Sequence, residues 1–266
     1  MKRMRQKELV DMLEKEKVIN TIQIAAHFGV SVETIRRDLD QLEAQGILKK
    51  IYGGAELRSP ESILPLPLES RRMLQYNAKA AIASRAAEYI SDDSSVALDA
   101  GSTIFELCKC LHDKKDLIII SADIHSAGEL LSSGHRKVYM MGGFLTPDGA
   151  SGGTFSKDFF NSISSIDFFV TSTDGATPED GLSTDEEGIN NLKKCYLKKA
   201  TKSIAMIDHT KFRKKGFYKL CDFSEIDLVI TDSLTPSDVL DKIRESGPAV
   251  DIVSARTRPD DCNSTI

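Results

Sequence analysis

Apolar residues recur at helical spacing in three short blocks within the first 46 positions of the chain. The blocks contain Leu9, Val10 and Leu13; Ile24, Ala25 and Phe28; and Ile35, Leu39 and Leu42. Spacings of three or four residues predict amphipathic helices with one buried face each. Asn20 or Thr21 can cap the second helix and Ser31 the third, while Gly29 and Gly46 can end them. Because only a short turn separates these two helices, the pattern predicts a helix-turn-helix unit.

The third predicted helix carries charge on its outward face. On a helical wheel, Glu33, Arg37 and Asp40 point away from the buried stripe, and Thr34 and Arg36 flank them. Solvated charges also occupy such a face. The placement alone is therefore compatible either with plain solvent exposure or with contact to DNA.

The chain after this helix predicts a wing and then a linker. Residues 47–52 predict a short strand, and the glycine pair at 53–54 predicts a tight turn at its end. Three prolines then stand among polar residues: Pro60, Pro65 and Pro67. We expect residues 58–76 to form an extended linker.

From residue 77 onwards, helical segments alternate with short apolar segments. Segments such as DLIIIS and IDLVITD are apolar along their whole length, which is typical of strands buried on both faces. The alternation predicts an α/β domain with a mostly parallel sheet covered by helices on both sides. We therefore expect a DNA-binding-type domain over 1–57, the linker, an α/β domain over 77–255, and a disordered polar tail over 256–266.

Polar residues follow five of the predicted strands. The candidates at these strand ends include Asp99, Gly101, Ser102, Thr103, Gly142, Gly143, Asp174 and Lys211. Ligands of open parallel sheets bind beyond the carboxyl ends of the strands. One polar loop would be ordinary for a strand-to-helix connection, but five together favour a binding pocket.

Two glycine-containing segments are suited to an anion. DAGST, residues 99–103, ends a strand and opens a helix, so the backbone N–H groups of its last three residues can cradle a phosphate. GASGGT, with Gly152 and Gly153, precedes another helix and can do the same. Neither segment is a P-loop or a G-x-G-x-x-G motif, which argues against a nucleotide. Lys211 could add a full positive charge, although its run KFRKK is more typical of a solvated surface.

Charge and composition narrow the function classes. Residues 1–58 contain 11 basic and 9 acidic residues, a net of +2, whereas the rest carries a net of −7. This polarity suits a chain that approaches a polyanion with its N-terminal part only. The five cysteines lack metal-site or C-x-x-C spacing, which indicates free thiols in the cytoplasm. With no secretory signal and no apolar run of about 18 residues, we expect no membrane segment, and we expect no metal or cofactor.

The segment VSVETIRRDLDQLEAQGILKKIYGGA, residues 30–55, resembles the DNA-binding segment of the DeoR family of bacterial transcriptional regulators. The resemblance implies a winged helix-turn-helix whose third helix enters the DNA major groove. The DNA-contacting residues that it implies are Ser31, Glu33, Thr34, Arg36, Arg37, Lys49, Lys50 and Tyr52. Guanidinium groups suit guanine edges and phosphates, while wing lysines position the domain on the backbone.

The second part of the chain is also similar to this family. LDAGST, MGG, IDFFVTSTDGATPEDGLST and IDHTKF resemble its sensor domain, which is related to the ribose-5-phosphate isomerase fold. The resemblance places Lys211 on the family's ligand lysine and implies a phosphorylated sugar or polyol as effector. SADIH departs from the Thr-Asn-Ser of many members, and Asn191 stands where a glutamate is expected. Such a glutamate could act as a base in isomerase chemistry, so its absence argues against catalysis.

These features predict a ligand-controlled transcription factor that is not an enzyme. Its expected role is repression of a carbohydrate-catabolism operon, as a homodimer or homotetramer on double-stranded operator DNA. One alternative is a sugar-phosphate isomerase or deaminase with Asp174 and Lys211 as the acid/base pair. Another is a constitutive DNA-binding protein whose sensor domain no longer senses.

Overall fold

The computed structural model describes residues 2–58, 66–152 and 157–254. The chain divides into two compact units, Met1–Tyr76 and Asn77–Ile266. Among the described helices, none combines the length and apolar character that a bilayer crossing demands.

The first unit is a small helical domain with a three-stranded antiparallel sheet. Its elements are α1 (Lys2–Glu16), β1 (Val18–Asn20), α2 (Thr21–Phe28), α3 (Val32–Ala44), β2 (Leu48–Ile51), β3 (Gly54–Leu57) and α4 (Leu68–Arg71). The strand order is β1-β3-β2, so β2 and β3 form the hairpin of a wing. The structure therefore has the helix-turn-helix and the wing that the sequence predicts.

Local capping explains the sharp turn between α2 and α3. Asn20 Oδ1 accepts hydrogen bonds from the backbone N–H groups of Ile22 and Gln23, which begins α2. Gly29 ends α2 in the left-handed region, with φ of 64°. Ser31 Oγ then accepts a hydrogen bond from the Thr34 N–H at 3.2 Å and begins α3. The predicted caps are therefore confirmed, with Asn20 rather than Thr21 at the start of α2.

The segment predicted as an extended linker, residues 58–76, is different in the structure. It contains α4, and Leu68 and Met73 are buried, the latter in the core that α1, α2 and α3 share. Ser70 Oγ donates a hydrogen bond to the carbonyl oxygen of Gln45 at 2.8 Å. Burial of apolar side chains after the prolines stabilises this segment against the first unit. Residues 59–65, which include Pro60 and Pro65, lie outside the described residues.

The second unit is an α/β domain. Its elements are α5 (Tyr76–Tyr89), β4 (Ser95–Leu98), α6 (Ser102–Cys110), β5 (Ile118–Ser121), α7 (Ile124–Ser132), β6 (Lys137–Met140), β7 (Phe144–Leu145), β8 (Ser151–Gly152), α8 (Lys157–Ser162), β9 (Ile166–Thr171), β10 (Gly175–Thr177), β11 (Gly181–Thr184), α9 (Glu187–Lys199), β12 (Ala200–Ile207), β13 (Tyr218–Cys221), β14 (Leu228–Asp232), α10 (Ser237–Glu245) and β15 (Ala249–Val253). A 3-10 turn, His209–Lys211, follows β12.

A seven-stranded parallel sheet forms the centre of this unit, in the order β15-β14-β12-β9-β4-β5-β6. Alternate residues of its strands face opposite layers. In β4, Val96 and Leu98 pack with α5, α6 and α7, whereas Ala97 packs with α8 and α9. Apolar burial on both faces explains why these strands have no polar alternation, as the sequence analysis predicts.

Two small antiparallel elements were not predicted from the sequence. Strands β10, β11 and β13 form a separate three-stranded sheet, and β7 pairs with β8 in a short hairpin. All five strands are only two to four residues long. Segments this short show too little periodicity for a sequence pattern to detect. The tail predicted as disordered, 256–266, lies outside the described residues.

Candidate functional site

The outward face of α3 displays the charged residues of the predicted DNA-binding set. Glu33, Arg36 and Arg37 are exposed, while Thr34 is half-buried and bonded to Ser31. Both guanidinium groups lie near the Glu33 carboxylate, at 3.9 Å for Arg36 and 3.5 Å for Arg37. Pairs this exposed are worth little and can exchange for phosphate or base contacts at small cost. Glu33 therefore orients the two arginines but binds them only weakly.

The wing presents the remaining members of the predicted DNA-binding set. Tyr52 stands fully exposed at its tip. Lys49 lies 3.6 Å from Glu56, and the Lys50 ammonium binds the Asp40 carboxylate. The hydrogen bond from Lys50 to Asp40 raises the pKa of Lys50. Lys49 is therefore paired within the β2–β3 hairpin, while Lys50 links the hairpin to α3.

Asp38 has a structural role in this unit that the sequence analysis did not assign. It is 1% exposed, and its carboxylate accepts hydrogen bonds from Arg5 Nε at 2.6 Å and from Gln6 Nε2 at 3.1 Å. Gln6 also binds Gln41 at 2.8 Å. These bonds fix the rotation of α3 against α1, and they thereby decide which α3 side chains face outward.

In the second unit, the chain order of the parallel sheet reverses between β4 and β9. After β4 the chain builds outward through β5 and β6, and it then returns to the other side of β4 with β9, β12, β14 and β15. Ligands of open α/β sheets bind at such a switch point, beyond the carboxyl ends of the strands. Asp99 follows β4 at this position, and Ser172 follows β9.

Asp99 is the centre of a buried polar network. Its Oδ2 lies 2.7 Å from Lys193 Nζ and accepts hydrogen bonds from Thr171 Oγ1 and the Ser172 N–H, both at 3.0 Å. Lys193 also donates to the carbonyl oxygen of Ser172 at 2.9 Å. Lys193 and Asp99 are 4% and 1% exposed. The pair therefore links α9 to the ends of β4 and β9 at the switch point.

The predicted phosphate cradle lies beside this network. Gly101 has φ of 126°, a backbone conformation that would be strained for a residue with a side chain. A Cβ at this position would also stand 3.2 Å from Ser172 Oγ, so the chain passes close to the loop after β9. Among the residues that the structure describes, no side chain caps the start of α6 at Gly101. The N–H groups of Ser102 and Thr103, in the first turn of α6, have no acceptor within the helix, which suits an anion.

A cluster of lysines surrounds the end of β12. The Asp208 carboxyl is buried, which would raise its pKa, but the charges of Lys79 and Lys211 and the hydrogen bonds from Thr210 outweigh burial and lower the pKa. Partial burial and then the Lys211 charge lower the pKa of Lys214. Lys211 is thus half-buried among charged groups, whereas Arg213, Lys214 and Lys215 of the same run are exposed.

Asp174 joins this cluster from the end of β9. Its Oδ2 accepts a hydrogen bond from the Asp185 N–H at 3.1 Å, and its charge acts on Lys214. A Cβ on Gly175 would lie 2.4 Å from the carbonyl oxygen of Lys214. Only glycine therefore permits the segment that carries Lys211 and Lys214 to lie against the end of β9.

The other predicted glycines lie further from the switch point. Gly142 and Gly143 follow the edge strand β6 and lead into the β7–β8 hairpin. Ser151, in the hairpin, donates to the carbonyl oxygens of Ala122 and Met141, so the hairpin covers the ends of β5 and β6. A Cβ on Gly152 would lie 2.8 Å from the backbone of Gly188 in α9. Gly153 lies outside the described residues.

Lys79, Lys193 and Asp38 share one signal that the sequence analysis did not use. Each is an ionisable residue within the buried stripe of its helix: α5, α9 and α3, respectively. Burial of such groups requires partners, because an unpaired charge in a core is very costly. An ionisable residue at a stripe position therefore predicts a buried polar network even without a motif.

Comparison with known families identifies both units. A DeoR-like helix-turn-helix domain matches residues 5–61, and a DeoR C-terminal sensor domain matches residues 74–233. The chain belongs to the DeoR family. As a DeoR-family member it is a transcriptional regulator with a DNA-binding and a sensor domain, which confirms the assignment made from residues 30–55.

Several DeoR-type regulators are similar along most of their length. The HTH-type transcriptional regulator GolR of Listeria innocua is 30% identical over 249 residues, which covers 93% of this chain and 97% of the relative. A putative aga operon transcriptional repressor of Escherichia coli is 29% identical, with 94% and 93% covered. The glycerol-3-phosphate regulon repressor of Escherichia coli is 26% identical, with 87% and 91% covered.

Among solved structures, ribose 5-phosphate isomerase from Plasmodium falciparum is similar over 54% of this chain and 55% of that chain, at 17% identity and a TM-score of 0.40. The predicted order of domains, a helix-turn-helix followed by a larger parallel α/β domain, is confirmed by the family matches and by the sheet.

Proposed function

We propose that this DeoR-family regulator binds operator DNA through α3 and the wing, and that a phosphorylated sugar or polyol bound in the second unit changes its operator affinity. The observation that carries the DNA part is the exposed pair Arg36 and Arg37, set on a helix whose rotation the buried Asp38 fixes. Both guanidinium groups can leave Glu33 for guanine edges or phosphates. Lys49, Lys50 and Tyr52 then contact the DNA backbone.

The second unit supports the effector part. The first turn of α6 offers backbone N–H groups, and Lys211 and Lys214 add positive charge across the neighbouring strand ends. Asp99 and Asp174 lie at the same edge and can accept hydrogen bonds from hydroxyl groups. A ligand that carries both phosphate and hydroxyl groups matches this pattern. A relative that is named as the glycerol-3-phosphate regulon repressor supports the same class.

Effector binding changes DNA affinity only if the effector binds two arrangements of the protein unequally. A coupling of about 1–3 kcal/mol would change operator affinity roughly 5- to 150-fold. We infer a homodimer or homotetramer in the cytoplasm that reads two half-sites about one helical turn apart, since helix-turn-helix regulators bind DNA as symmetric pairs. Repression of a carbohydrate-catabolism operon is the expected outcome, because curated relatives include repressors.

The alternative of a sugar-phosphate isomerase or deaminase is less well supported. It requires Asp174 and Lys211 to act as an acid/base pair, yet Asn191 stands where a glutamate base is expected and the relatives are regulators. We therefore propose that the protein is not an enzyme. Steady turnover of a sugar phosphate that is lost in Lys211→Ala would reverse this assignment.

The deciding experiment is fluorescence anisotropy with labelled DNA from the region upstream of the protein's own gene and with random DNA of equal length. We expect preference for the upstream DNA, and a loss of that preference in Arg37→Ala. Lys15→Ala is the matched control, because Lys15 is an exposed basic residue on α1 that pairs only with Asp11 among the described residues. Equal affinity of the wild type for both DNAs would contradict the proposed function.

A further inference from the structure

The parallel sheet of the second unit ends in two edge strands, β15 and β6, which differ in charge. β15 carries a charged residue in its middle, Asp251, whose carboxylate accepts hydrogen bonds from Arg85 Nε at 2.6 Å and from the Tyr89 hydroxyl group at 2.7 Å. A charge on an edge strand disfavours pairing with a further strand. The β15 edge is therefore protected against association.

The β6 edge has no such protection. Its one charged residue, Lys137, stands at its start, and its other three residues are apolar or aromatic. Tyr139 and Met140 are 47% and 39% exposed, on opposite faces of the sheet. Phe144 and Leu145, which follow in β7, are 72% and 47% exposed. An apolar, exposed edge of this kind is a template for pairing with another chain.

The backbone of β6 is oriented for such pairing. β6 pairs with β5 in parallel register, and the N–H of Met141, just beyond β6, donates to the Ser121 carbonyl oxygen at 3.0 Å. Because backbone groups alternate in direction along a strand, the N–H and C=O groups of Val138 and Met140 point away from β5. Among the described residues, no strand lies on that outer side. β6 therefore offers outward donors and acceptors to a further strand.

Charge decides the orientation in which a second copy of the chain fits this edge. A parallel pair of β6 strands would place Lys137 beside its counterpart, and like charges in direct opposition are destabilising. In an antiparallel pair centred on Tyr139, Lys137 stands opposite Met141 of the other copy. The two Lys137 residues then lie about 13 Å apart along the strands, beyond the screening length of about 8–10 Å. The antiparallel pair is also symmetric, as a closed dimer requires.

The exposed apolar area supports an interface of ordinary size. Aromatic side chains bury about 150–250 Å² each, so the exposed fractions of Tyr139, Met140, Phe144 and Leu145 amount to roughly 400 Å² in each copy. A stable interface buries about 800 Å² per partner, and a little over half of that area is apolar. The four side chains thus supply most of the apolar part, and the β6 backbone with its polar neighbours supplies the rest.

We propose that β6 is the edge through which two copies of this chain associate. Their β6 strands pair antiparallel about a two-fold axis next to Tyr139, so that the two seven-stranded sheets become one continuous sheet. The backbone groups of Val138 in one copy bond those of Met140 in the other, and the two Tyr139 side chains lie side by side. This assignment rests on the homo-oligomer of the proposed function and names the surface that forms it.

Sedimentation velocity of the full chain over a range of concentrations tests this edge. The wild type should form a dimer or tetramer. Tyr139→Lys places two ammonium groups face to face at the axis and removes a central aromatic contact, so it should raise the dissociation constant of the β6 association by at least about tenfold. The matched control is Ile252→Lys, which adds the same charge at an exposed apolar position of the other edge strand and should leave the association unchanged.

A disulfide tests the register independently of Tyr139→Lys. In the proposed pair, the two residues at position 139 have Cα atoms about 4.5 Å apart, a distance that a disulfide spans. We therefore expect Tyr139→Cys to form a cross-linked dimer on mild oxidation, and Ile252→Cys to stay uncross-linked. Both are made in a background in which three native cysteines are replaced by serine, namely Cys110, Cys195 and Cys262. The two cysteines that remain, Cys108 and Cys221, are buried.

The outcomes separate this inference from the proposed function. Unchanged association of a folded Tyr139→Lys protein, or no cross-link in Tyr139→Cys, would show that the β6 assignment is wrong, while the proposed oligomer stands. A wild type that stays monomeric at every concentration would overturn both the β6 assignment and the proposed oligomer. The preference for upstream DNA is measured separately by anisotropy.

Discussion

The candidate DNA-binding face of α3 differs from the strand ends around Asp99 at the switch point of the second unit, which we call the sensor crevice. The two regions hold their charged residues in opposite ways. Arg36 and Arg37 on α3 are exposed and pair loosely with a neighbour on the same helix. Asp99 and Lys193 are buried and pair tightly across elements that are distant in sequence. An exposed ion pair contributes little to stability and can be broken at little free-energy cost. A buried charge that loses its partner, in contrast, strongly destabilises the fold.

This difference indicates which substitutions should change function alone and which should change function and stability together. On the DNA-binding face, side chains can be changed with almost no effect on folding, since they make few contacts within the unit. In the crevice, the Asp99 carboxylate that is proposed to bind the effector also holds α9 to the sheet through Lys193, so function and stability are expected to change together. Four substitutions or conditions test this contrast.

The largest effect is expected from Lys193→Met alone. It leaves the Asp99 carboxylate buried without its counter-charge, which should lower the free energy of unfolding of the second unit by about 3–5 kcal/mol. Chemical denaturation of the full chain measures this change. Addition of Asp99→Asn should recover most of the loss, and Lys198→Met should stay within about 0.5 kcal/mol of the wild type. A stable Lys193→Met protein would show that the pair does not hold α9.

Asp38→Ala tests whether the buried Asp38 carboxylate of the first unit contributes to stability as the buried Asp99 and Lys193 do in the second. The loss of its bonds to Arg5 and Gln6 should destabilise α3 by about 1.5–3 kcal/mol. Hydrogen exchange of the α3 amides in the full chain reports this directly. The matched control is Asp40→Ala, an exposed carboxylate on the same helix, for which less than about 1 kcal/mol is expected. Equal effects of the two substitutions would contradict a special role for Asp38.

Arg37→Ala should separate binding from folding on the DNA-binding face. We expect operator affinity to fall by about 1–3 kcal/mol, while the free energy of unfolding stays within about 0.5 kcal/mol. If Arg37 contacts a phosphate, the slope of log affinity against log salt should also decrease by about 1. A parallel loss of stability would show that the arginine is structural.

The smallest effect concerns acid pH and the buried Asp208. Its pKa is lower in the folded protein than the ordinary value near 4, because Lys79, Lys211 and Thr210 outweigh burial. Its contribution to stability is therefore full above about pH 4 and is lost as the pH falls through the lower folded-state pKa. Thermal melting between pH 3 and 6 should show the advantage of wild type over Asp208→Asn narrowing below about pH 4. An advantage that is constant over this range would exclude the mechanism.

Much of the architecture follows from local patterns in the sequence. The stripes of the first three helices, the caps Asn20 and Ser31, and the doubly apolar strands of the parallel sheet depend on neighbours along the chain. The position of Asp99 and the start of α6 at a strand end follow in the same way. Short strands such as β10 and β13 do not, because their pairing depends on residues far along the chain.

The sequence by itself determined the first three helices, the strands of the parallel sheet, the charged face of α3 and the polar strand ends, because helix and strand periodicity act over a few residues. Only the tertiary structure decided that Lys193 binds Asp99, that Lys79 and Lys211 act on Asp208, and that Asp38 orients α3. These partners meet through the packing of separate elements. Their identity depends on three-dimensional distance and burial, which no local spacing encodes.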